Sequence, residues 1–157
     1  MTLSNEAGTE KQFRDPARLS ISIDINASPE KVFAVLCDIE RWPEWTSTVS
    51  SIRRIDEGLL SVGSRAQVLQ PGLRPAIWQV TEMEAARNFT WVTRNPGVRV
   101  TGRHLVQGTT AGSRVTLTIE FTGLLKFPIS RLFRKLNERY IATEAEGLKK
   151  RSEDFLV

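Results

Sequence analysis

The chain has 157 residues, a net charge of +4, and 40% hydrophobic against 25% charged residues, the balance of one globular domain with a single substantial core rather than of a disordered chain. One cysteine excludes an intrachain disulfide framework, and no apolar run approaches the roughly 20 residues of a transmembrane segment. Residues 1–14 lack the apolar stretch of a signal peptide, so a cytoplasmic location is expected.

Residues 1–16 are polar and mixed in charge, ending at Asp15-Pro16. They are expected to form a disordered or loosely held arm, leaving 17–157 as the domain. Leu19, Ile21, Ile23 and Ile25 then alternate with Ser20, Ser22, Asp24 and Asn26, the pattern of a half-buried strand. Ser28-Pro29-Glu30 is a helix start: a hydroxyl at the N-cap, proline at the first helical position and a carboxylate at the positive dipole end. This helix is expected to bury Val32, Phe33 and Leu36, with Cys37 as a small core residue. Pro43 within Asp38–Trp45 cannot lie inside a helix, so a second short helix or turn is expected there.

Val49–Glu57 reads as a strand with a bulge, since Ile52 and Ile55 have opposite parity. Gly58 and Gly63 mark a turn, and Ser64–Gln70 is a further strand. Four more strands follow between Pro75 and Gly123. Residues of a strand point alternately to two faces, so each strand yields two columns. The Glu84–Arg87 link sets Val80 opposite Trp91; the turn at Asn95–Val98 sets Trp91 opposite Gly102 and Phe89 opposite His104; the loop Gly108–Ser113 sets His104 opposite Leu117 and Gly102 opposite Ile119. One face then carries Trp78, Val80, Glu82, Phe89, Trp91, Val100, Gly102, His104, Val106, Val115, Leu117, Ile119 and Phe121, and the other carries threonines, arginines, Gln79 and Glu120. An antiparallel sheet packed on one side and wet on the other alternates in this way.

From about Phe127 the period becomes helical. Ile129, Phe133, Leu136 and Tyr140 form one stripe, extended by Leu132 and Leu148. Such a stripe must be buried, and the apolar sheet face is the available surface. The fold class is therefore α+β: a curved seven-stranded antiparallel sheet around a long C-terminal helix, with two short helices after the first strand. The basic residues interleave with no aromatic platform, so nucleic acid is not an expected partner.

Several stretches carry a family resemblance: Ile23–Phe33, the Asp38–Trp45 segment with its Trp-Pro-Glu-Trp, Val62-Gly63-Ser64, Trp78–Glu82, Gly102-Arg103-His104 and Gly112–Val115. The chain resembles the START-like (SRPBCC) superfamily, most closely its polyketide cyclase/dehydrase-like branch, over about residues 18 to 153. The resemblance implies the helix-grip fold and an internal ligand cavity in a bacterial-type protein. It carries no shared catalytic motif onto these residues.

Two functions compete on this sequence. As a carrier or sensor, the protein would hold a hydrophobic, lipid-like or aromatic small molecule in a pocket lined by Trp78, Val80, Glu82, Phe89, Trp91, His104, Leu117, Phe121, Phe133, Leu136 and Tyr140. As a cyclase or dehydratase, it would use His104 as acid/base. Glu82 would sit two strands away at roughly 10 Å, and Tyr140 would polarise a carbonyl. His104 is equally read as a hydrogen-bonded core histidine, and Trp78 and Trp91 as filler. A third class is a protein-interaction module with no ligand, using the basic helix or the outer sheet face. One histidine and one cysteine make no ligand set for zinc or iron, nothing calls for a cofactor, and the assembly is expected to be a monomer or homodimer.

Overall fold

Leu19, Ile21, Ile23 and Ile25 are buried to a few percent exposure or less, and their alternation produces strand β3 (Arg18–Ile25). It lies next to β9 (Gly112–Thr122), which continues through β8 (Val98–Thr109), β7 (Asn88–Asn95), β6 (Ala76–Glu84) and β5 (Arg65–Leu69) to β4 (Ser51–Arg54). The computed structural model describes residues 3–4 and 8–154. Every adjacent pair is antiparallel and the sheet stays open between its two edge strands.

The expected registers hold at Val80–Trp91, Trp91–Gly102, Phe89–His104, His104–Leu117 and Gly102–Ile119. One does not extend as expected. β6 carries an extra residue between Val80 and Glu82, so that Glu82 pairs with Thr90 and Met83 with Phe89. A bulge of one residue inverts parity beyond it. Met83 therefore packs on the core, while Glu82 is exposed and accepts a 3.4 Å hydrogen bond from the Asn88 amide.

The strand count also needs correction. The sheet has nine strands among the described residues, because Leu3–Ser4 (β1) and Thr9–Asp15 (β2) extend it beyond β3. The expectation of a loose arm over residues 1–16 thus fails at Thr9–Asp15; at residues 1, 2 and 5–7 it lies outside the described residues, as do residues 155–157 of the domain. β2 has little apolar alternation and is held between β1 and β3 by the backbone ladder and by charge. Arg114 of β9 reaches Asp24 at 2.8 Å and Glu10 of β2 at 3.3 Å.

The helices close the concave face. Ser28 caps α1 (Pro29–Cys37), its hydroxyl accepting from the Lys31 amide at 3.3 Å. A 3-10 helix, Ile39–Glu44, follows and takes Pro43. There the Trp42 indole donates to the Leu36 carbonyl at 3.0 Å, fixing the corner. The C-terminal segment is two helices, α2 (Lys126–Leu132) and α3 (Arg134–Glu153). α3 lies over β3 and β9. Its buried side is Asn137, Tyr140, Ile141, Ala145, Leu148 and Ser152, rotated from the expected stripe: Leu132 is exposed and Leu136 half-buried. Gly147 sets the approach, since a Cβ there would fall 2.2 Å from the Trp45 carbonyl oxygen. Only a residue without a side chain lets α3 pass that backbone.

Candidate ligand cavity

Between the sheet and α3 lies a cavity of about 540 Å³, within the range of small-molecule sites. Its deep wall is aromatic. Trp78 and Trp91 meet at 5.2 Å between ring centroids, and Trp42 joins Trp91 at 5.3 Å. Gly102 makes this cluster possible, because a Cβ there would sit 3.0 Å from the Trp91 indole nitrogen and 3.6 Å from the Trp78 ring. Leu117, Ile119, Val100 and Phe121 continue the wall, and Ile129, Phe133 and Ile141 close it from the helices.

Seven of the expected lining residues surround this cavity: Trp78, Trp91, His104, Leu117, Phe121, Phe133 and Tyr140. Val80, Phe89, Glu82 and Leu136 do not. Val80 and Phe89 are buried in the core behind it, the bulge sends Glu82 to the outer face, and rotation of α3 moves Leu136 to its flank.

Polar groups come from both walls: Asn137, Tyr140 and Glu144 from α3, and Thr93, Arg103, His104 and Thr118 from the strands. His104, 4% exposed, bridges the layers. Its Nδ1 is 3.0 Å from the Phe89 carbonyl oxygen and its Nε2 is 3.3 Å from Glu144 Oε1. A ring nitrogen facing a carbonyl must carry its proton, so Nδ1–H donates to Phe89. Nε2 then faces the Glu144 carboxyl group. The ring also stacks on Phe89 at 4.9 Å and 18°. The carboxylate facing His104 is therefore Glu144, which reading the strands alone missed. Asn137, Ile141, Glu144 and Leu148 recur at i, i+4, i+7 and i+11, so both polar residues stood in a helical stripe whose apolar members were unremarkable. Tyr140 donates its hydroxyl to the Pro71 carbonyl, tying α3 to the β5–β6 loop.

Two lining groups have no partner. The indole N–H of Trp78 and the amide nitrogen of Asn137 are buried without a hydrogen bond. A donor so placed costs about 1–3 kcal/mol, and native interiors rarely leave one unmatched. Cys37 is a different case: burial pushes its thiol up to about 11, so it is not an activated nucleophile.

The family model described as "Polyketide cyclase / dehydrase and lipid transport" matches residues 16–153. The chain belongs to this family. Solved structures with the same fold include a hypothetical protein of Helicobacter pylori (15% identity, TM-score 0.72, 86% of each chain covered). A STAR-related lipid transfer protein of Xanthomonas axonopodis is similar (15% identity, TM-score 0.70, 97% of each chain). So is the di-domain ARO/CYC StfQ of the steffimycin biosynthetic pathway (10% identity, TM-score 0.70, 88% of this chain and 51% of that one). No curated protein matches the sequence. The fold of this protein is thus the START-like helix-grip fold of the polyketide cyclase/dehydrase and lipid transport family.

Proposed function

We propose that the protein is a cytoplasmic carrier or sensor that binds a hydrophobic small molecule, lipid-like or aromatic, inside this cavity. One observation carries the proposal: two buried N–H donors, on Trp78 and Asn137, have no protein partner within a space walled by Trp78, Trp91, Leu117, Phe121 and Phe133. An apolar skeleton bearing acceptor oxygens relieves both the empty volume and the unmatched donors. A matched pair of probes tests it. Anthraquinone, which has two carbonyl acceptors, should stabilise the protein against heat more than anthracene, which has the same ring skeleton and none. Saturation at a hundredfold excess over Kd gives about 2.7 kcal/mol, read as a rise in Tm of roughly 5–10 °C. If no apolar probe moves Tm, binding is refuted; equal shifts from both probes refute the role of the donors.

A second function is favoured by one specific feature. The contact between His104 Nε2 and Glu144 lies at the cavity wall, with Glu144 half-buried beside the space. Such a pair can give and take a proton in a cyclisation or dehydration of a polyketide-like substrate. Incubation of a bound poly-β-ketone analogue, followed by mass spectrometry, tests it. Turnover that disappears in Glu144→Gln while binding persists would establish the enzyme, and an unchanged ligand would leave the carrier.

A further inference from the structure

The segment from Gly123 to Leu136 covers the cavity from outside, and its outer surface combines exposed apolar side chains with basic ones. Leu124 is 94% exposed, Leu132 75% and Phe127 51%, a concentration of bare apolar side chains that proteins rarely leave to water without use. The same fourteen residues contain Lys126, Arg131, Arg134 and Lys135 and no acidic residue. Two of these cations flank one of the apolar groups: Lys126 Nζ lies 4.8 Å from the Phe127 ring centroid and the Arg131 guanidinium 5.9 Å from it. Arg134 is paired with Glu138 at 2.8 Å, which leaves Lys126, Arg131 and Lys135 as the cations of this surface. Arg74, exposed on the facing β5–β6 loop, adds a fourth.

From this combination we infer that the α2 segment docks on the surface of an anionic lipid bilayer. The apolar groups project singly from a short helix and its preceding turn. They form no flat patch for a shaped protein surface, but each can enter fluid acyl chains while the adjacent cations meet lipid phosphates. No helix of the described residues is long and apolar enough to cross a membrane, so the contact is interfacial. Its position matters. Ile129 and Phe133, on the inner side of the same segment, line the cavity, together with the exposed Pro96 of the β7–β8 turn and Gly72 of the β5–β6 loop. Docking would therefore place the mouth of the cavity against the lipid, where a poorly water-soluble ligand resides. That last consequence rests on the proposed binding function; the docking itself does not.

Flotation of the full chain with vesicles tests the inference. Vesicles of phosphatidylcholine with phosphatidylglycerol should carry the protein, phosphatidylcholine alone should carry much less, and raised salt should weaken the difference. Changing both Leu124→Ser and Leu132→Ser should reduce partitioning by roughly tenfold or more, with Tm unchanged because neither residue is buried. Lys126→Gln and Lys135→Gln should each cost about fivefold. Asn137→Leu, which alters only the cavity, should float as the parent does. Failure to float with either vesicle overturns the docking, as does flotation indifferent to the leucine changes. Loss of flotation in Asn137→Leu also overturns it, since the lipid would then be held by the cavity. None of these failures bears on the anthraquinone shift.

Discussion

The two walls of the cavity are built to different rules. The sheet wall is built on an apolar, geometrically fixed frame: Trp78, Trp91, Leu117 and Phe121 hold positions set by hairpin registers, and Gly102 leaves them room. The helix wall carries Asn137, Tyr140 and Glu144, and each of these is either unmatched or bonded across to the sheet or a loop. The sheet thus gives the cavity most of its shape, and α3 sets its three polar groups opposite the sheet's own His104, Thr93 and Thr118.

That contrast can be broken at the contact between the walls. Gly147→Val should have the largest effect, because its side chain would overlap the Trp45 carbonyl. A loss of about 3 kcal/mol or failure to fold is expected in urea unfolding, and a neutral result would mean that α3 can shift away from the corner. His104→Phe should cost about 1–3 kcal/mol, since it removes the donor to Phe89 and leaves Glu144 without its partner. If the same change leaves stability intact but abolishes probe binding, the imidazole orients the ligand rather than holding the wall.

Smaller changes test the polar groups of the two walls one at a time. Asn137→Leu should raise the stability of the unliganded protein by about 1 kcal/mol, because an unmatched buried donor is removed, and should narrow the gap between anthraquinone and anthracene. Trp78→Phe should narrow it likewise. Glu82→Gln should change neither stability nor binding beyond about 0.5 kcal/mol; an effect on ligand selectivity would place that carboxylate back in the cavity. Least of all, Cys37 should react slowly with iodoacetamide at neutral pH, because its thiol is held near 11 and the thiolate is scarce.

Much of the sheet wall was legible in the residues alone. Alternation has a strict period of two, and short hairpin links fix which residues face each other, so Phe89–His104–Leu117 and Trp91–Gly102–Ile119 follow from spacing. The Ser-Pro start of α1 was legible for the same reason: capping is local chemistry. β2 was not, because a strand near the sheet's edge can be held by its backbone partners alone and its sequence, Thr-Glu-Lys-Gln-Phe-Arg-Asp, shows no buried column. Nor was the break at Phe133 between α2 and α3.

The carboxylate beside His104 marks the division between what the sequence determined and what tertiary structure decided. Sequence determined that one histidine would lie on the apolar face of β8, because parity along an unbroken strand depends on nothing distant. It also determined that a C-terminal helix would cover that face. It could not determine which carboxylate would meet the imidazole. One inserted residue in β6 turned Glu82 outward, and the rotation of α3, set by the passage of Gly147 over Trp45, turned Glu144 inward. A bulge and a helix rotation each reflect the balance of packing over the whole layer, and that balance exists only once the layers have met.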